Sequence, residues 1–443
     1  MLNLSAGVTR RYWLQHKLGE GGMGEVYAAL DRLTGTPVAL KRVLYTPQQL
    51  QFNTHFTSTR AADLRRALAD EFRVLASLRH PHIISVLDYG FDEEQYPYYT
   101  MTLLDSPHDL LTTAKNFTFA QRMTAFAQML QALAYLHRHG ILHRDLKPGN
   151  VMVDNQNAVK LVDFGLATQD TGDGSSGTLA YMAPEILQHG SASLQSDLYA
   201  AGLLAYEMFT GGYPFNAVSV TELLDFMLHR MPDMQAVPEA LQPIITRLLM
   251  KDPHDRYPDA ETVLADLATA DNTLTIDDAA VRDSFLQAAR FVGREHELSV
   301  LTQALDRMIS VQTPLDGALL MGSAYLIGGE SGAGKSRLLE ELRTHALLNG
   351  ALVLRGQGVT GSGMPFELWR DIVRRLLLEH DISDLEAGIL CEIVPDIATL
   401  LEREIPTVAP LGAISSQSRL VDTIIGLFQR QTQPMLLLLE DLQ

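Results

Sequence analysis

Two glycine-rich turns, with lysines and carboxylates at fixed spacings after them, are where this sequence could do chemistry. The first turn, Gly19-Glu20-Gly21-Gly22-Met23-Gly24-Glu25-Val26, follows G-x-G-x-x-G-x-V. Glycines there let two strands turn tightly and bring backbone N–H groups up to phosphate oxygens with no Cβ in the way. A plain glycine-rich hairpin is the competing reading of the turn alone. VALK follows, setting Lys41 on a strand, where a fixed ammonium can hold α- and β-phosphates. Glu71 is its expected partner: it stands three residues after Leu68 and four before Leu75, beside an apolar helical stripe and not on the wet face. The second turn, Gly329-Glu330-Ser331-Gly332-Ala333-Gly334-Lys335-Ser336, is a full G-x-x-x-x-G-K-S between an apolar run and a helical pattern. In that setting a backbone nest and a helix N-terminus receive phosphate, Lys335 reaches the β- and γ-phosphates, and Ser336 offers an oxygen to Mg²⁺.

A third group runs in order along the chain: His143-Arg144-Asp145-Leu146-Lys147-Pro148-Gly149-Asn150, then Asp163-Phe164-Gly165, then Ala183-Pro184-Glu185. With the first glycine turn and Lys41, this series resembles the Hanks-type protein Ser/Thr kinases over residues 12–268. The resemblance implies ATP and Mg²⁺ as cofactors, with Mn²⁺ as an admissible substitute, and a protein substrate with a Ser/Thr acceptor. It makes Asp145 the group that orients the acceptor hydroxyl and takes its proton, Lys147 the cation on the γ-phosphate, and Asn150 and Asp163 the oxygen ligands of the metal. Such acids would not gather in a core without cations, because burying unpaired carboxylates is too costly.

The resemblance also implies nucleotide contacts from Leu18, Gly19, Glu20, Gly21, Gly22, Gly24, Val26, Ala39 and Lys41, with Met101 behind the adenine and Thr102-Leu103 as the hinge that bonds the base. Glu185 and Arg256 resemble the buried ion pair that ties the peptide-binding segment to the helical lobe, and Asp197 the residue bracing the catalytic-loop backbone. Lys147 and Gly177-Thr178 resemble the Ser/Thr-directed pattern, with Thr178 bonding Asp145 and Lys147. Arg144 beside the catalytic acid suggests control by phosphorylation at Thr171, Ser175 or Ser176; a loop competent without phosphate is the open alternative. The stretch between Lys41 and Glu71 is longer than in compact bacterial members, which implies an added loop or helical extension, a candidate docking surface.

Phe291-Val292-Gly293-Arg294-Glu295 before the second turn and KSRLLEEL running on from its end resemble the opening of STAND-like, AAA-related signal-transduction ATPases. LLLLED resembles their acidic strand, with Asp441 the better metal ligand and Glu440, or a residue beyond, left to handle water. In the sheet order of that class the phosphate-loop strand lies between the fourth and fifth strands, and only the first three are visible here. The segment therefore reads as truncated: it folds imperfectly, or a separate chain supplies its other half.

The elements that must position these groups follow from patterning. Short apolar runs and glycine turns from Trp13 to about Tyr45 read as consecutive strands, and strand-like ISVLDYG and YPYYTMTLL follow a helical stripe at Leu64–Leu78. Thr118 and Gln121 form a capping box, Met123, Phe126, Leu130, Leu133 and Leu136 mark a buried helical face, and Gly140 ends it. VMVD and VKLVD read as short strands, SDLYAAGLLAYEMFTGG as a buried helix, and AYLIGG, ALVLRG and PMLLLLED as strands around the second turn.

The expected fold is α+β: a bilobal kinase fold, with a β-rich N-lobe and an α-rich C-lobe, followed by an incomplete α/β P-loop ATPase. The expected divisions are an extension at 1–11, the kinase domain at 12–268, an acidic linker at 269–289 and the ATPase part at 290–443.

A chain of 443 residues and 49.0 kDa is too large for one typical core. Its 46% hydrophobic and 20% charged residues exclude a mainly disordered or fibrous chain. The net charge of −18 is the wrong sign for a nonspecific nucleic-acid or anionic-membrane binder, so no nucleic acid is indicated. The single cysteine, Cys391, excludes an intrachain disulfide and a Cys-rich metal cluster. No apolar run reaches the roughly 18 residues of a membrane span, and MLNLSAGVTRR lacks an export core, so the cytoplasm is the default and self-association stays open. A protein kinase with an attached nucleotide-binding regulatory module is the leading reading. A scaffold switched mainly by the second nucleotide turn is the alternative, and a small-molecule phosphotransferase would not need the platform from Gly177 to Glu185.

Overall fold

The residues from Tyr12 make three successive strands, β1 (Tyr12–Gly21), β2 (Gly24–Asp31) and β3 (Thr36–Val43). β2 pairs antiparallel with both neighbours, so Val26 stands opposite Gly19 on one side and Lys41 on the other. With β4 (Val86–Phe91) and β5 (Pro97–Thr102) they form a five-stranded sheet in the order β1-β2-β3-β5-β4. β3 is the central strand, and Val38, Ala39, Leu40 and Lys41 are all buried. Tyr12 and Tyr98 meet edge-on at 5.7 Å between ring centroids and pack with Ala29, Val38 and Leu40 into a small core.

The computed structural model describes residues 10–21, 24–43, 78–92, 96–163, 179–271, 293–310, 322–330, 332–358, 366–407 and 413–442. Two compact units result: Met1–Arg73, Leu87–Thr100 and Arg290–Gln443 form one, and Val74–Val86 and Met101–Ala289 the other. Glu71 and the helical stripe before Leu78, and the linker from residue 272, lie outside the described residues.

The second unit is mainly helical. Its short strands β6 (His108–Asp109), β7 (Val151–Val153) and β8 (Val159–Leu161) form one small sheet in sequence order. Helix α1 (Leu110–Ala114) precedes α2 (Phe119–Arg138), whose start is the expected capping box: Thr118 takes the Gln121 N–H and Gln121 takes the Thr118 N–H. Met123, Phe126, Leu130, Leu133 and Leu136 are buried, and the chain leaves α2 through Gly140 at φ +72°. The short α3 (Pro184–Leu187) leads to α4 (Leu194–Thr210), which is buried over most of its circumference and closed by Gly211 at φ +80°. A Cβ on Gly202 would come within 2.8 Å of the Leu248 Cβ, so this glycine lets α4 lie against the helix that carries Leu248. Helices α5 (Val220–His229), α6 (Gln242–Leu248) and α7 (Ala260–Ala270) complete the unit.

The remainder of the first unit starts with α8 (Glu295–Ser310) and α9 (Lys335–Leu348). β9 (Leu352–Gln357) runs parallel to β10 (Met435–Glu440), in register from Leu352 opposite Met435 to Gln357 opposite Glu440. Between them come α10 (Glu367–Glu379), α11 (Asp384–Leu390), α12 (Ile397–Leu401) and α13 (Ala413–Gln429), whose apolar faces gather around Ile372, Leu376, Leu390, Val394 and Leu427. The strand expected at AYLIGG is not formed: residues 322–330 enter no ladder, Tyr325 is half exposed and Leu326 is 91% exposed. A strand is made by its hydrogen-bonded neighbours, and among the described residues β9 and β10 pair only with each other. No described helix is long and apolar enough to cross a membrane.

Candidate active site

The chain after α2 is shaped by one carboxylate. Asp197, in the first turn of α4, accepts the N–H of His143 at 2.8 Å on Oδ2 and that of Arg144 at 2.9 Å on Oδ1. This brace holds Arg144 at φ +65°, a left-handed conformation that a side chain other than Gly, Asn or Asp seldom adopts. The next residue is Asp145. Lys147 Nζ lies 2.8 Å from Asp145 Oδ2, and Asn150 Nδ2 donates to the same oxygen at 3.0 Å and to the Asp145 carbonyl at 2.7 Å. A single 3₁₀ turn, Pro148–Asn150, brings Asn150 back to the acid, and Asn150 is buried. Among the described residues no bond reaches Asp145 Oδ1, since both side-chain contacts of Lys147 and Asn150 fall on Oδ2.

Asp163 follows β8 and its neighbouring segment at φ +55°, half-buried. With the Asn150 amide N–H₂ committed to Asp145, its Oδ1 is the atom left for a hard cation, alongside the Asp163 carboxylate. Among the described residues no group of three or more His, Cys, Asp or Glu could hold a metal by itself. Two protein oxygens fit a divalent ion that takes its other ligands from phosphate and water. Thr171, Ser175, Ser176 and Thr178 lie outside the described residues.

Beneath the loop, Glu185 and Arg256 form a two-pronged pair with both N–O distances 2.8 Å. Burial works against the charged carboxylate, but the hydrogen bond and charge of Arg256 bring the Glu185 carboxyl below its ordinary value. His137, which sequence reasoning missed, places Nε2 2.9 Å from Asp197 Oδ2, and Ser196 Oγ donates to Glu185 at 2.8 Å. Neither carries a spacing signal, since each partner lies on a different element.

His143 is fully buried, and burial pushes its imidazole below the usual value of 6.5. The unfolded chain takes up a proton near pH 6.5 that the folded chain refuses, so folding stability falls as pH drops below that point. Thermal unfolding followed from pH 7.5 to 5 is expected to show this slope in the wild type and a shallower one in His143→Leu, whatever the offset between the two proteins. An unchanged slope would rule out this histidine as its source.

The first unit holds the first glycine turn and Lys41. Leu18 is exposed on β1 and Ala39 is buried on β3. Gly19, Glu20 and Gly21 pair with Val26, Glu25 and Gly24 across the hairpin, and Gly22 lies outside the described residues. Lys17 Nζ bonds both Glu20 and Glu25, at 2.5 and 2.8 Å, which staples the two arms together. Lys41, on β3, is 5% exposed, and a buried ammonium at a sheet centre demands an anionic environment. In the second unit, Met101 is buried, the Thr102 N–H donates to the Ser85 carbonyl at 3.1 Å, and Leu103 is half-buried.

In the second nucleotide turn Gly332 and Gly334 lie at φ +79° and +82°, conformations that glycine takes without strain, and Lys335 and Ser336 open α9. Lys335 Nζ donates to the carbonyls of Gly329 and Glu330 at 2.7 and 2.8 Å, curling over the loop that a phosphate would enter. Asp441, at φ +54°, accepts from Gln357 Nε2 at 3.0 Å, whereas Glu440 is tied to Arg355 at 2.7 Å.

The profile described as Protein kinase domain matches residues 12–266, and the profile described as AAA ATPase domain matches residues 290–443. Over 276 residues the chain is 29% identical to Serine/threonine-protein kinase PrkC of Bacillus subtilis, covering 59% of this chain and 41% of that protein. It is 38% identical over 274 residues to DNA damage-responsive serine/threonine-protein kinase RqkA of Deinococcus radiodurans, covering 58% and 39%. Against Probable serine/threonine-protein kinase PknB of Lactococcus lactis it is 30% identical over 283 residues, covering 61% and 43%. The chain thus spans about two fifths of the length of these curated relatives.

Proposed function

Because the chain belongs to the protein kinase family, we propose that it transfers the γ-phosphate of ATP to Ser or Thr hydroxyls of a protein substrate, and that its AAA ATPase segment is a nucleotide-binding regulatory module. The observation that carries this reading is the state of Asp145: Lys147 and Asn150 fix one carboxylate oxygen and leave the other to an acceptor hydroxyl. Asp145 orients that hydroxyl and takes its proton as its oxygen bonds the γ-phosphorus and the bond from that phosphorus to the β-phosphate's bridging oxygen breaks, ADP leaving; Lys147, 2.8 Å from the acid, neutralises the phosphoryl group in transit. Lys41 holds the α- and β-phosphates. Asn150 and Asp163 would hold a divalent ion such as Mg²⁺, which would supply positive charge against that developing on the phosphates. Lys335 and Ser336 would serve a second nucleotide. Ser/Thr preference is supported by Lys147 and by the names of the relatives, and the kinase division at 12–268 is part of the same reading.

The test is transfer of labelled γ-phosphate to a protein substrate, followed by phosphoamino-acid analysis. Asp145→Asn is expected to lower the rate by about 10³-fold, within the range for loss of a positioned base. Phosphotyrosine as the main product, or transfer undiminished by Asp145→Asn, would overturn the proposal.

A further inference from the structure

The turn between β2 and β3 is built as a rigid projection. Asp31, itself buried, accepts the Leu33 N–H on Oδ1 at 3.0 Å, its carbonyl accepts the Gly35 N–H at 2.7 Å, and Gly35 turns back at φ +70°. Arg11 clamps the same carboxylate with two bonds, of 2.9 and 2.7 Å. A turn held this firmly presents Leu33 at its tip, and Leu33 packs against the apolar core of the ATPase segment that contains Leu390, Val394 and Leu400.

Both sides reach across in the same manner. Arg32 of the turn donates to the Leu400 carbonyl at 2.6 Å and pairs with Glu402 at 3.1 Å. In return Arg374, on α10, donates to the Leu33 carbonyl at 3.0 Å. Glu402 sits at φ +54°, so the chain turns sharply at the end of α12, where it meets Arg32. A second contact lies along the sheet: Arg343 on α9 stands 3.8 Å from Asp88 on β4, a carboxylate that Arg11 also binds. Arg10 adds an exposed pair with Asp381 at 3.1 Å.

We propose that the β2–β3 turn of the kinase N-lobe is a docking site for the chain's own ATPase segment, in which Leu33 is the plug and Arg32 and Arg374 are reciprocal latches on backbone carbonyls. Guanidinium-to-carbonyl bonds suit this role, because they hold geometry without requiring a buried ion pair. A single exposed leucine would need no explanation, but Leu33 is half-buried against a core from the far end of the sequence, with bonds running across in both directions beside it. The consequence is that the ATPase segment holds the sheet that carries Lys41 and the first glycine turn.

The test uses the full chain with Arg32→Lys, which sets a primary amine opposite Glu402. Treatment with a water-soluble carbodiimide joins Nζ to the Glu402 carboxyl as an amide, the carbodiimide leaving as its urea. The expected product is monomer-sized and yields a peptide linking 32 to 402, and adding Leu33→Asp lowers its amount at least fivefold. A 32–402 link found only in dimer-sized product would make the turn a contact between copies and overturn the proposal; no link would overturn it too. In the chain otherwise unchanged, Leu33→Asp is expected to speed amide exchange over 397–403 at least threefold, and unchanged exchange there counts against the contact. The readout is a covalent bond or an exchange rate, so failure leaves the kinase reading untouched.

Discussion

Asp163→Asn is expected to reduce phosphoryl transfer by about 10³-fold at saturating ATP while changing the melting temperature by no more than about 2 °C. Asp163 sits at φ +55°, and Asn removes the charge, keeps the side-chain shape and still tolerates the left-handed conformation. Asp163→Ala would add a backbone cost of about 1–2 kcal/mol, so the Asn variant separates electrostatics from folding. The loss arises because a neutral amide oxygen holds a divalent ion far more weakly than a carboxylate does. Raising Mg²⁺ should recover part of the rate in Asp163→Asn and none in Lys41→Ala, whose missing ammonium acts on the phosphates and not on the ion. The measurement is kcat against Mg²⁺ concentration for the three proteins. Wild-type turnover in Asp163→Asn would remove this residue from the metal site.

Local spacing explains why much of this was legible in the sequence. Thr118 and Gln121 lie within one helical turn, so their reciprocal bonds can be read directly, and the loop from His143 to Asn150 keeps Asp145, Lys147 and Asn150 within reach of one another. Asp197 and Arg256 were identified through resemblance, and the structure supplies what spacing could not: which N–H groups each one meets. Residues 322–330 went the other way. Apolar composition is necessary for a buried strand, but a ladder needs a neighbour, and in the sheet order of the resembled class neither β9 nor β10 flanks AYLIGG. The plug at Leu33 was equally illegible, because a lone leucine in a polar turn looks the same whether it faces water or another domain's core.

Arg256→Met is expected to destabilise the second unit by about 3–5 kcal/mol, the usual range for removing one member of a buried pair, and to lower its melting temperature by about 10 °C. The Arg256 side chain is fully buried, and all five of its N–H groups are used. Nε donates to the Met250 carbonyl at 2.7 Å, one terminal nitrogen to Glu185 and Gln195 at 2.8 and 2.9 Å, and the other to Glu185 and Lys251 at 2.8 and 3.0 Å. The guanidinium carbon also lies 4.8 Å from the centre of the Tyr199 ring. Methionine fills the volume but strands three carbonyls and leaves Glu185 without its cation. Lysine restores the charge with three donors on a single nitrogen and cannot reach the planar set, so Arg256→Lys should recover less than half of the loss. The pH dependence has a definite sign. Arg256 holds the folded Glu185 carboxyl below its ordinary 4.5, so this part of the stability is complete above that pH and fades as acid protonates the folded carboxylate. The gap in melting temperature between wild type and Arg256→Met should therefore be widest at neutral pH and narrow below about pH 4.5. Full stability in Arg256→Lys, or a gap indifferent to pH, would show that the pair contributes through packing alone.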